Sequence, residues 1–224
     1  MREEHVAIFV DGAFFQRRAR TLWGKMSAND LAERLHKYCI GHLSHTVSGI
    51  KMYDSLYRIF YYDCPPLINN VFHPLKKQTV SLAKTDLYAY AHDFHNALLK
   101  KRKVALRLGR LSNNDLHYML TYDAQKRILS GSKTVDDLTD EDFALNVRQK
   151  GVDMRIGLDI SSLAYKKQVT RMILISGDSD FVPAAKLARR EGIDFLLDPM
   201  GASISTDLME HIDGLQTQIR QAEK

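Results

Sequence analysis

In Met172-Ile-Leu-Ile-Ser-Gly-Asp-Ser-Asp-Phe181 a buried strand runs straight into two carboxylates, and few folds accommodate that. Four consecutive apolar residues, Met172 to Ile175, suit a short strand covered on both faces, the pattern of a parallel sheet. Ser176-Gly177 breaks the run, and Asp178 and Asp180 follow. Phe181, Val182, Ala185, Leu187 and Ala188 then recur at helical spacing, with Pro183 in the first turn, where its missing N–H costs nothing. The acids therefore occupy a strand-to-helix corner. In open α/β sheets the carboxyl ends of the strands are where ligands bind. Two carboxylates held together there repel unless a cation or a proton lies between them.

The same plan recurs at the start of the chain. Val6-Ala-Ile-Phe-Val10 is a compact apolar run ending in Asp11-Gly12, where glycine permits a sharp turn or a close backbone approach. Phe14 and Phe15 are expected to pack, whereas Arg17, Arg18 and Arg20 are expected to be solvated or available to phosphate. Ser27 with Asp30 reads as a capped helix start, with Leu31, Leu35 and Tyr38 on its apolar face. Leu56 to Tyr62 is β-branched and aromatic, hence a strand, and ends in Asp63, which either joins the same cleft or serves a local turn. A helix is predicted from Gln78 to about Arg102, closed by the cations Lys100 to Lys103, which favour a helix C-terminus. His92 and His95 on it are a weak ligand pair, with no Cys or carboxylate at ligand spacing. Val104 to Leu111 reads as a strand with one basic face, carrying Arg107 and Arg110.

From Ser112 to Lys150 the character changes to a polar stretch without sustained period, with acids between Asp136 and Asp142 expected to be solvated or capping. We expect a single domain over 1–224 with an insertion or extended excursion at about 112–149, because about 40 residues seldom fold alone. Lys150-Gly-Val-Asp153 opens a helix with Val152, Ile156, Ile160, Leu163 and Ala164 on one side. Ile193 to Leu197 is another strand, closed by Asp198-Pro199, and Ser205 to Ile212 a short helix.

Composition narrows the class. With 224 residues, 45% hydrophobic and 26% charged, the chain can bury one sizeable core. No apolar run reaches the roughly 20 residues of a membrane span, and Met1 to His5 lacks a signal-peptide pattern, so a cytoplasmic location and no membrane partner are expected. Cys39 and Cys64 have no paired spacing and read as core thiols. A net charge of +5 and pI ≈ 9.1 allow a polyanionic partner without requiring one.

Alternating strands and helices imply a parallel sheet covered on both faces. Asp11, Asp178 and Asp180 then emerge at one sheet edge, joined by Asp153 from the helix before the central strand. Such an all-oxygen set suits Mg²⁺ or Mn²⁺ and works on phosphate. These residues also carry a resemblance: Val10-Asp11-Gly12, Lys150-Gly-Val-Asp153 and Ile175-Ser-Gly-Asp-Ser-Asp-Phe181 look like the NYN domain of the PIN-like nucleases, most similar to its bacterial LabA-type branch. The resemblance implies a three-layer PIN-like α/β fold, an acidic quartet of Asp11, Asp153, Asp178 and Asp180 binding Mg²⁺ or Mn²⁺, and cleavage of RNA. Ser176 matches the family's small polar residue beside the metal and is expected to contact substrate. On physical grounds Lys150 is assigned to substrate phosphate. The chain departs from the family at Ala13, Phe14 and Phe15, where many relatives have an Asn. Asp159 lies about 120° around the helix from Asp153, away from direct contact.

The expectation is a metal-dependent ribonuclease acting on single-stranded RNA, compatible with a homo-oligomer, with Arg17, Arg18, Lys150, Lys166, Lys167 and Arg171 tracking the backbone. The alternative is a catalytically silent RNA-binding or regulatory module on the same fold. A haloacid-dehalogenase-like phosphatase would need a second Asp at position 13, and a Rossmann dinucleotide site a G-x-G-x-x-G after the first strand; neither is present.

Overall fold

The computed structural model describes residues 4–47, 50–112 and 116–219. Its centre is a six-stranded sheet whose strands we number in chain order: β1 (His5–Asp11), β2 (Ser55–Asp63), β3 (Val104–Leu108), β4 (Arg171–Ile175), β5 (Asp194–Asp198) and β6 (Gly214–Leu215). The spatial order is β6-β5-β4-β1-β2-β3, and every pairing is parallel. The helices are α1 (Gly12–Trp23), α2 (Ala28–Gly41), α3 (Asp86–Leu99), α4 (Tyr122–Leu129), α5 (Val152–Tyr165), α6 (Val182–Arg190) and α7 (Thr206–Glu210). An α/β fold with three layers is thus what the alternation of apolar runs predicts and what forms.

Side-chain alternation explains the layering. Val6, Ile8, Val10, Ile173 and Ile175 point to one side and pack with Phe15, Leu31, Leu35, Phe94 and Leu98 of α1, α2 and α3. Ala7, Phe9, Met172, Leu174, Phe195 and Leu197 point to the other, against Ile156, Ile160, Leu163, Ala185 and Leu208 of α5, α6 and α7. Strands buried on both faces need no polar alternation, which is why β1 and β4 read as continuous apolar runs.

The order of strands fixes where a ligand can sit. From β1 the chain moves outward through β2 to β3, then crosses back to β4 on the other flank of β1 and moves outward again through β5 to β6. Connections leave β1 and β4 in opposite directions, so their carboxyl ends frame the crevice in which open α/β sheets hold ligands. Register brings the two ends level, with Val10 paired to Ile175.

Three local expectations are corrected. The helix predicted from Gln78 begins only at Asp86, capped by the Thr85 hydroxyl, which accepts from Tyr88 N at 3.3 Å. Gln78–Ser81 is instead a strand in a hairpin with Asn70–His73, as the β-branched Thr79-Val80 pair favours. The cations after α3 do more than face its dipole, since Lys101 reaches Glu33 of α2 and Lys103 donates to the Leu56 carbonyl. The strand predicted from Val104 to Leu111 ends at Leu108; after Gly109, Arg110–Ser112 pairs with Arg148–Lys150.

The excursion holds more order than its composition suggests. Tyr118–Leu120 pairs with Phe143–Leu145, and α4 lies between them in sequence. Asp137 and Asp142 both cap, as expected, and Asp142 is buried as well: it accepts from Lys133 Nζ at 2.5 Å and Thr139 N at 2.8 Å, contacts that hold its carboxyl down to about 2.

Candidate active site

Asp11 ends β1 and caps α1, its Oδ1 accepting from Phe14 N at 3.2 Å. Gly12 is required here by close packing, because a Cβ would lie 2.4 Å from the Tyr62 carbonyl oxygen. Across the sheet, the fully buried Ser176 donates its hydroxyl to Asp11 Oδ2 at 3.3 Å and accepts from Asp178 N at 3.3 Å. Asp178 Oδ1 in turn accepts from Asp180 N at 3.0 Å. One hydroxyl thereby ties the first acid to the loop bearing the other two. Ser176, expected to contact substrate, is here enclosed, with its hydroxyl bonded to Asp11 and to Asp178 N.

Asp153 arrives from the opposite side. The chain turns at Gly151, with φ of 78°, a left-handed conformation that glycine takes without strain, and Asp153 follows in the first turn of α5. It shares a 420 Å³ cavity with Asp180, Met154, Gly157 and Pro183. The carboxyl of Asp153 is raised above its ordinary value, first by partial burial, then by the charges of Asp178 and Asp180. Asp11 is raised as well, chiefly by burial, with a further push from Asp153 against the lowering effect of the Phe14 N–H and Ser176 hydroxyl. Asp153 thus feels the charges of Asp178 and Asp180 and adds a smaller push to Asp11.

Other carboxylates, the buried Asp63 and Asp198 and the half-buried Asp159, differ in having guanidinium or imidazole partners. Asp63 Oδ2 bonds His95 Nε2 at 3.0 Å and Gln16 Nε2 at 3.0 Å. Asp198, at the end of β5, is bonded by His42 Nε2 at 2.8 Å and the Tyr38 hydroxyl at 2.6 Å. Asp159 takes a two-pronged bond from Arg107 at 2.7 and 2.9 Å and one from the Tyr62 hydroxyl at 2.9 Å, pinning α5 to the sheet. These three networks were not legible in the sequence, since their members lie 32 to 160 positions apart. Only Asp63 and Asp198, each closing a strand, pointed to two of them. His95 thus serves Asp63, while His92 contacts Asn96 at 3.2 Å, so the two histidines do not form a ligand pair.

The basic residues divide by position. Lys150 is exposed immediately before Gly151, paired in the ladder with Arg110. Arg17 is exposed and lines a groove with Arg20 and Lys25. Arg18 is not free for phosphate in the way expected: its Nε and Nη2 both donate to the Met200 carbonyl, at 3.1 and 2.8 Å, holding the turn after β5. Arg171 begins β4, at the edge opposite the acids, and is bound to Asp54 and Asp194. Lys166 and Lys167 follow the end of the 14-residue α5, about 20 Å from its start at 1.5 Å per residue. These three cannot line a path at the acidic edge. Cys64 is buried, and burial beside Asp63 pushes its thiol up to about 11, so it is no nucleophile at neutral pH.

Among the described residues no three Asp, Glu, His or Cys side chains stand already grouped closely enough to cage a metal ion, and no described helix is long and apolar enough to cross a membrane. The donor set remains entirely oxygen, anionic and mutually repelling, which fits a hydrated divalent cation that keeps several of its waters and is held by few direct protein ligands.

No curated protein matches this chain. Among solved structures, a protein of unknown function from Vibrio parahaemolyticus is similar at 15% identity, with 96% of this chain and 94% of that one covered and a TM-score of 0.44. The family model described as the NYN domain matches residues 5–213, from the first residue of β1 to the residue before β6. With its acids at the ends of β1 and β4 and at the start of α5, the chain belongs to the NYN domain family, within the PIN-like nuclease superfamily.

Proposed function

We propose that this protein is a metal-dependent ribonuclease that hydrolyses phosphodiester bonds of single-stranded RNA at Asp11, Asp153, Asp178 and Asp180. The observation that carries the reading is a contrast. Asp63, Asp159 and Asp198 each have an imidazole or guanidinium beside them, whereas among the described residues the buried Asp11 has a hydroxyl, a backbone N–H and another carboxylate. A carboxylate buried without a cation is costly unless it takes a proton or a metal. Its position in the crevice between β1 and β4 makes an exchangeable cation the more useful answer.

A bound Mg²⁺ or Mn²⁺ would supply a water acidified enough to attack phosphorus and would offset charge on the phosphoryl oxygens. The chain's own contribution is orientation. Ser176 fixes Asp11 and the Asp178 loop relative to one another, Gly12 lets the β1–α1 corner pack against Tyr62, and Gly151 turns Asp153 toward the cleft. Lys150 and Arg17 would hold substrate phosphates as point and planar charges.

The test is cleavage of end-labelled single-stranded RNA and DNA with Mn²⁺, Mg²⁺ or EDTA, by the wild type and by Asp178→Asn. Metal-dependent cutting of RNA lost in the variant supports the reading. Equal RNA binding by both proteins with no cutting under any metal would replace it with a silent binding module.

A further inference from the structure

Many cations of this chain are matched within it: Lys76 meets Asp140, Arg107 meets Asp159, Lys133 meets Asp142 and Arg189 meets Asp213. Arg17, Arg20 and Lys25 differ. All three are exposed and border one groove of 340 Å³ beside α1, whose lining contains no carboxylate. Among the described residues none of them has an acid partner. Arg20 lies in the last turn of α1, where the helix dipole favours a cation. That accounts neither for Arg17, in the middle of the helix, nor for Lys25, past its end. Gly24 closes α1 with φ of 73°, and beyond this turn Lys25 and Met26 border the same groove.

The groove leads away from the acids. α1 begins directly after Asp11, which caps it, so at 1.5 Å per residue Arg17, Arg20 and Gly24 lie about 9, 14 and 20 Å along the helix from that acid. Gln16, at the near end, bonds Asp63 at the carboxyl edge of the sheet. A stacked strand advances about 3.4 Å per phosphate, so this length spans about the third to the sixth phosphate from Asp11, and nearer ones in a more extended strand. Between the cations the lining is apolar and aromatic, with Leu31 of α2 and Tyr90 of α3. Burial raises the Tyr90 phenol, and Arg20 is close enough to oppose the rise.

We propose that this groove carries the RNA strand away from the acids on one side of the scissile bond, with Arg17, Arg20 and Lys25 taking successive backbone phosphates, so that the substrate is a strand extended past the cut rather than a short fragment. The inference rests on the ribonuclease reading for where the strand enters. Guanidinium groups match phosphate with two parallel bonds, and an aromatic ring between cations suits ribose or base without reading its identity. Contacts of this kind set register and affinity, not sequence. An acidic peptide would bring charge but no ring for Tyr90, which makes polyglutamate the competitor in the test.

The experiment follows metal-free binding of a labelled single-stranded RNA by the full chain as salt is raised. It compares the wild type, Arg20→Ala/Lys25→Ala and a control of equal charge, Lys166→Ala/Lys167→Ala, each checked for wild-type thermal unfolding. Each phosphate contact in a single strand contributes about −0.7 to the slope of log affinity against log salt, so the groove pair should lose about 1.4 of slope. Between about 50 and 200 mM salt the wild type should then lose about sevenfold more affinity than the groove variant, and no more than the control. In cleavage by the wild type, a neutral methylphosphonate linkage should slow cutting when it lies about two to six linkages from the scissile bond on one side, and be tolerated on the other. Equal slopes for the two pairs, tolerance of neutral linkages on both sides, or displacement of RNA by polyglutamate at equal charge overturns the proposal, and the linkage scan on the wild type decides even if a variant fails to fold. The two readings fail separately: a slope lost only in the groove pair without RNA cleavage keeps the groove and removes the nuclease, while cleavage with equal slopes and tolerated linkages does the reverse.

Discussion

Replacing Ser176 by Ala removes one oxygen that touches both halves of the acidic site. Two hydrogen bonds are lost, each 3.3 Å long, one to the Asp11 carboxylate and one from Asp178 N. Net values run about 0.5–1.5 kcal/mol for a neutral bond and about 1.5–3 for one to a charged group, and at this length the lower ends apply, about 2 kcal/mol together. For a chain of this size that lowers Tm by about 4–8 °C. The larger consequence is electrostatic. Asp11 is already raised by burial, and the Ser176 hydroxyl is one of the contacts holding it down. Between the ordinary carboxylate value and its raised folded value, the native state binds more protons than the unfolded chain, so metal-free stability falls as pH rises through that window. Without the hydroxyl the folded value rises further and the window extends upward. Metal must then displace a more tightly held proton, and the acid limb of the cleavage profile moves to higher pH. Calorimetric unfolding at several pH values, Mn²⁺ titration and a pH–rate profile read these effects separately. A lower Tm with the acid limb and the metal affinity both unmoved would refute the reasoning and reduce Ser176 to a packing residue.

Three further substitutions test neighbouring parts of the argument. Asp11→Asn should raise the Tm of the metal-free protein near neutral pH, by removing a buried charge pressed by Asp153, and should abolish both cleavage and the Tm increase on adding Mn²⁺. A fall in metal-free Tm would mean that Asp11 is already neutral or paired. Gly12→Ala places a Cβ 2.4 Å from the Tyr62 carbonyl and 2.8 Å from the Tyr61 ring, an overpacking expected to cost about 1–3 kcal/mol; because the clash is adjacent to Asp11, cleavage should fall more than stability does. Asp159→Ala breaks the Arg107 pair and strands the Tyr62 hydroxyl, for a loss of about 1–3 kcal/mol in urea unfolding, while cleavage at saturating metal should stay within a few-fold of wild type.

What the sequence made legible follows from how each signal is encoded. β1 and β4 are covered on both faces, so burial alone writes them as apolar runs, and the acids that end them stand out by contrast. The helix starts at Ser27 and Asp153 are local as well, each set within one turn. The segment from Gln78 misled because a hairpin strand, a short 3-10 turn and a helix follow one another with apolar residues at intervals that mimic one long helix. Leu87 and Leu99, which fit that apparent apolar spacing, are 74% and 59% exposed. The excursion escaped for a different reason: its order depends on Asp142, which draws Lys133, Arg127 and Thr139 around a buried carboxylate, and no period in the sequence records such a node.

The candidate site shows the same division more sharply. At the sequence level Asp11, Asp63 and Asp198 are indistinguishable, each an acid closing a hydrophobic strand. What separates them is the tertiary neighbour each receives: His95 from α3 for Asp63, His42 after α2 for Asp198, and for Asp11 only Ser176 and the field of Asp153. The fold thus gives the acids beside the crevice imidazole or guanidinium hydrogen-bond partners of its own and, among the described residues, gives Asp11 none. Strand order then decides which acid is which, since only β1 and β4 flank the point where the chain reverses direction across the sheet. A chain that merely needed polar ends for its strands would have no reason to leave the unpaired acid at that position. On the proposed function, the partner that Asp11 lacks among the described residues is a cation from outside the chain.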